Sequence, residues 1–130
     1  MTLLEVCEWL ETFNLFDHYY IGKIDGTQEN VLGVYARASS GRPVHALGQP
    51  SSYVITGIKL LVHGNQDENE TQELAKNLYK ALTDYPAQWV GENYIYYVSL
   101  QCQEPIDVGT DTNWIYEFVI NLNIYSNRRN

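Results

Sequence analysis

Asp107, Gly109, Asp111 and Asn113 stand at alternate positions in the segment that begins Pro105-Ile106-Asp107-Val108-Gly109-Thr110-Asp111. This spacing resembles the start of a calcium loop. It fails where such a loop is most demanding, since Thr112 replaces the obligatory glycine and Phe118 the closing glutamate. Asp side chains in such a turn serve equally well as acceptors for their own backbone N–H groups. His63, at the end of an apolar run and just before Gly64, is the other residue with catalytic chemistry in reach. Together His63, Asp107 and Asp111 could form a small metal-dependent hydrolytic site. The simpler reading of His63 is a polar residue that ends a strand and bonds the next turn.

The remaining reactive residue types are dispersed. His18 and His45 have no second His or Cys at ligand spacing. Cys7 and Cys102 sit among apolar residues and read as two buried free thiols. Ser39-Ser40-Gly41 lacks the strand–Ser–helix setting of a nucleophile elbow, and there is neither a phosphate loop nor a dinucleotide fingerprint. Glu68, Glu70 and Glu73 read as the solvated start of a helix. No assembled catalytic site is legible, and no cofactor or metal is expected.

Composition sets further bounds. The 130 residues make one domain by size, long enough to bury about two-thirds of the unfolded surface. A net charge of −8 argues against holding nucleic acid by its phosphates. No apolar run approaches membrane-spanning length, and the start, with Glu5 and Glu8, is not a signal peptide. Eleven tyrosines suit half-buried sheet faces and protein interfaces.

The elements that must position these residues follow from periodicity. Residues 3–15 predict an amphipathic helix, capped by Thr2 with Glu5 completing a capping box. Residues 19–25 and 30–35 predict a hairpin turned by Asp25-Gly26. Residues 36–52, rich in Ser, Gly and Pro, predict a long loop. Residues 53–63 predict a central strand, with Val54, Ile58, Leu60 and Val62 on one face, and Gly57 marks a bulge or close approach. Residues 68–83 predict the main helix, with Asp67 or Asn69 as its N-cap.

Two more strands complete the reading. Residues 93–103 place Tyr94, Tyr96, Val98, Leu100 and Cys102 on one face. Residues 114–125 place Tyr116, Phe118, Ile120, Leu122 and Ile124 inward, and Trp114 opens the strand beyond the acidic turn. Val119 and Tyr125 suggest that the other face is partly covered. Residues 126–130 predict a flexible tail. The order gives a single-domain α+β fold: a sheet of about five strands, mixed but largely antiparallel, with both helices packed on one face.

Several blocks of this pattern resemble a known family. Ile21-Gly22-Lys23-Ile24-Asp25, Gly33-Val34-Tyr35, Leu61-Val62-His63-Gly64-Asn65 with Glu70-Thr71, and Pro105–Asp111 with Ile115-Tyr116-Glu117 occur in order across residues 15–126. They are similar to the small minor capsid proteins of long-tailed bacteriophages, which occupy the tail-terminator role. Where this chain has Trp114 that family commonly carries Gly.

The resemblance implies a tail-terminator-like α+β fold and a structural, non-catalytic virion protein. Its expected partners are further copies in a hexameric ring, the tail tube protein and the head–tail connector. DNA passes through the centre without specific binding. The expected location is the tail at the head–tail interface, after assembly in the host cytoplasm. A head-completion or connector adaptor is the alternative within virion structure. The subunit charge of −8 would give a six-fold ring about −48, which repels DNA, so acidic groups are expected on its inner wall. The candidate assembly or channel surface is Arg37, Arg42, His45, Asp107, Asp111 and Trp114.

Overall fold

The computed structural model describes residues 1–38 and 53–128. Helix α1 spans Leu3–Glu11, and the Thr2 capping box forms as expected: the Thr2 hydroxyl accepts from the Glu5 N–H, and the Glu5 carboxylate accepts from the Thr2 N–H. It ends at Thr12 rather than near residue 15, because the chain turns through Asn14 at φ 55°. Strands β1 (His18–Ile21), β2 (Val31–Ala36) and β3 (Tyr53–His63) follow. Helix α2 spans Glu68–Thr83 with Asp67 as its N-cap, bonded to the Glu70 N–H. Strands β4 (Gln88–Val90), β5 (Asn93–Leu100), β6 (Ile106–Thr110) and β7 (Tyr116–Asn127) complete the chain.

The architecture is α+β, as the sequence predicts, but the sheet has seven strands rather than about five. The order is β1-β2-β3-β7-β5-β4, with β6 pairing the first part of β7. The two extra strands are short or solvated on both faces: β4 is three residues long and every residue of β6 is exposed. β4 is too short to show a period, and β6 alternates only through Ile106 and Val108, both exposed. The polar turn expected over 105–111 is therefore largely a strand, held by backbone pairing to β7 rather than by burial.

The predicted hairpin is replaced by a parallel pair. His18–Ile21 run alongside Val31–Val34 in parallel register. The Asp25-Gly26 turn does form, with the Asp25 carboxylate accepting from the Thr27 N–H and hydroxyl. It lies inside a longer excursion over residues 22–30, which leaves β1 through Gly22 at φ 75° and returns across the sheet. A side chain at Gly33 would meet Ile24 Cγ2 at 2.7 Å, so this glycine lets the excursion lie flat on the sheet.

β3 and β7 are the central pair and match along their whole lengths, from Tyr53↔Asn127 to His63↔Glu117, with no bulge at Gly57. Their inward residues Ile58, Leu60, Val62, Phe118, Ile120, Leu122 and Ile124 form one core with Val6, Trp9 and Leu10 of α1 and Ala75, Leu78 and Leu82 of α2. Both helices therefore share one face. Each large apolar side chain buried there contributes about 1.5–3 kcal/mol. Trp9 lies in this core, edge-on to Phe13 and Tyr85. Of the thiols, Cys7 is buried and Cys102 only half-buried.

Three further expectations change. A register shift between Ile95 and Tyr97 turns the first part of β5 over, so Ile95 faces the core and Tyr96 and Tyr97 are exposed. β7 starts at Tyr116, so Trp114 belongs to the preceding turn and not to the strand. Ser126 and Asn127 lie in β7, with Ser126 buried, so the expected flexible tail does not begin at 126. No described helix is long and apolar enough to cross a membrane.

Candidate functional site

The face of the sheet away from the helices has its own small buried cluster. His63, opposite Glu117 on β7 and Val31 on β2, projects onto this face. It is 0 % exposed, in the company of buried Val31, Ile115 and Val119. Its Nδ1 lies 2.7 Å from Glu117 Oε2 and its Nε2 lies 3.9 Å from Asp111 Oδ2. The Glu117 and Asp111 side chains keep 18 % and 22 % of their surface. Among the described residues these three are the group of His, Cys, Asp and Glu able to converge on a metal ion.

Local sequence explains the convergence. Gly64 follows His63 because a side chain there would sit 2.8 Å from the Thr71 Cβ at the start of α2. The Thr71 hydroxyl accepts from the Asn65 N–H and donates to the Asp67 carbonyl. Asn65 then accepts from the Asp67 N–H and donates to Asn30, tying the helix start to the 22–30 excursion. The His-Gly-Asn block thus packs three elements together. From the other side, Asp111 Oδ1 accepts from the N–H groups of Asn113 and Ile115, at 2.8 and 3.0 Å. That leaves Oδ2 directed to the imidazole.

Two of the three residues of the hydrolytic set read from the sequence, His63 and Asp111, come together. Asp107 is exposed and accepts from the Gly109 N–H at 2.8 Å. Its place beside the histidine is taken by Glu117, which the sequence shows only as a polar residue on a strand. Its pairing with His63 depends on the β3–β7 register. The Asx-type bonding expected of the acidic segment forms at both aspartates. The imidazole is fully buried, and the cluster meets solvent only through the part-exposed Asp111 and Glu117 side chains.

The other candidates are dispersed. Arg37 leans over the same face, donating to the Asn123 side chain at 3.0 Å, about 20 Å along the strands from His63 by register. Arg42 and His45 lie outside the described residues. Trp114 is 73 % exposed and adopts φ 62°, a left-handed conformation costly for a bulky residue. It is aligned by its own N–H, which donates to the Asp111 carbonyl.

Exposed aromatics form a second feature. Trp89 packs edge-on to Tyr94 and Tyr94 to Tyr96, with centroids 5.2 and 5.1 Å apart. Across β5, β7 and β3, Tyr97, Tyr125 and Tyr53 lie in sequence at 5.8 and 5.6 Å. Ile106 and Val108 add exposed apolar surface on β6. An open cavity of about 540 Å3 lies between Trp9, Phe13, Tyr85 and Trp89.

No protein-family model matches the chain, and no curated protein is significantly similar to it.

Proposed function

We propose that this chain is a structural protein of a tailed-bacteriophage virion. It assembles as a hexameric ring that terminates the tail tube and joins it to the head connector. The resemblance of the His63-Gly64-Asn65 and Pro105–Asp111 blocks to the minor capsid family supplies the role. The single observation that supports it structurally is the apolar edge made by β6 and the following turn. Ile106 and Val108 are exposed on a strand whose outer edge carries no partner among the described strands, and Trp114 is exposed in the turn beyond it.

An edge of this kind is a template for a neighbouring chain. A closed ring needs such a heterologous contact, one surface of each copy meeting a different surface of the next. The exposed Trp89, Tyr96 and Tyr97 lie on the β4–β5 side of the sheet and supply aromatic residues of the kind enriched at interfaces. The net charge of −8 suits a passage through which DNA moves without adhering. Negative-stain imaging of the chain mixed with tail tube protein tests the reading. Rings, or tubes closed at one end, are expected, and tubes of unlimited length with this chain left free would overturn it.

A further inference from the structure

We propose that His63 and Asp111 form a buried binding site for a borderline divalent transition-metal ion, Zn2+ by its donor chemistry, with Glu117 as the positioning residue that orients the imidazole. The argument starts from the proton inventory. A carboxylate only accepts hydrogen bonds, so at 2.7 Å from Glu117 the Nδ1 of His63 is the donor. In a neutral ring that assigns the lone pair to Nε2. That atom is buried without a hydrogen-bond partner, and the carboxylate that faces it, Asp111 Oδ2 at 3.9 Å, is another acceptor. Two acceptors facing each other repel, and the buried Nε2 is left desolvated without a donor.

A cation between them removes the conflict. Zinc–nitrogen and zinc–oxygen bonds are each about 2.0–2.2 Å, so a pair of donors 3.9 Å apart can share one ion with little movement. Carboxylate–histidine–metal is a recurrent arrangement: the outer carboxylate fixes the tautomer and raises the basicity of the ligating nitrogen. The partial exposure of Asp111 leaves room for water to complete the coordination. An imidazole donor favours Zn2+ over Mg2+ and Ca2+, which prefer oxygen alone. The bound ion would tie together the end of β3, the start of β7 and the turn that carries Trp114. It acts as a structural clamp, independent of the tail role.

Calorimetric titration of the purified chain with ZnCl2 tests this, because the readout is on the isolated subunit and does not depend on ring formation. One-to-one binding is expected, with a melting temperature raised by several degrees, and MgCl2 and CaCl2 should have no comparable effect. Asp111→Asn keeps the Oδ1 acceptor for Asn113 and Ile115 and places an amide donor opposite Nε2. It should fold without the ion and bind Zn2+ at least about tenfold more weakly. Asp107→Asn, outside the cluster, should bind as the parent does. In the unaltered chain, the His63 Nε2 resonance should shift on zinc addition while Nδ1 stays protonated. Absence of saturable binding below about 1 mM, or equal binding by Asp111→Asn, overturns the site.

Discussion

His63, Gly64 and Asn65 do three different jobs at adjacent positions. The imidazole fills the cluster on the helix-free face, the glycine admits Thr71, and the amide ties the helix start to Asn30. Gly64→Ala forces a Cβ onto the buried Thr71 side chain, which has hydrogen bonds to hold. The expected loss is about 1–3 kcal/mol in urea denaturation, and an unchanged midpoint would show that the contact is soft. Cys7 gives a second test at this scale. Burial first, then the nearby Glu11 and Glu8 carboxylates, push its thiol from an ordinary 9.0 up to about 11. Because the folded value lies above the unfolded one, the contribution to stability is full below 9.0 and is lost as pH rises toward about 11. Cys7→Ala should flatten the stability loss across that window. Native-state alkylation at about pH 8 should also leave Cys7 unmodified, since the thiolate is the nucleophile.

At the level of elements, the parts with strong apolar periodicity were legible. α2, β3 and the inward face of β7 follow the spacing of Leu74–Leu82, Val54–Val62 and Phe118–Ile124. What was hidden depended on contacts far apart in sequence. The Asp25-Gly26 turn is local and real, but whether it closes a hairpin depends on Ile24 reaching Gly33, which no local pattern encodes. β6 exists because β7 offers it an edge, not because its own residues are buried. The same dependence hid Glu117 from the candidate site, since only the β3–β7 register sets it opposite His63.

The turn between β6 and β7 supplies the prediction at this scale. Trp114 is held at φ 62°, a conformation that costs a side-chain-bearing residue about 1 kcal/mol or more. Trp114→Gly should therefore be neutral or stabilising by up to about 1 kcal/mol in thermal unfolding, and assembly should survive it, since the resembled family commonly carries Gly there. A destabilised Trp114→Gly would show that packing of the indole outweighs the strain of its left-handed backbone.

For the whole molecule, the structure separates two faces with different tasks. The helix face holds one continuous core. The opposite face combines a small buried His–carboxylate cluster with exposed tyrosines and an open edge. In the proposed ring, the edge of β6 that carries no partner among the described strands is where neighbouring copies meet, against the mutual repulsion of subunits charged −8. The most direct test of that claim is the mass of the particle in solution, measured by light scattering after size exclusion with tail tube protein present. Six copies of 15.0 kDa predict a species of about 90 kDa, free or as a cap on tubes. A chain that remains at 15.0 kDa at every concentration, with tube protein present, would contradict the account.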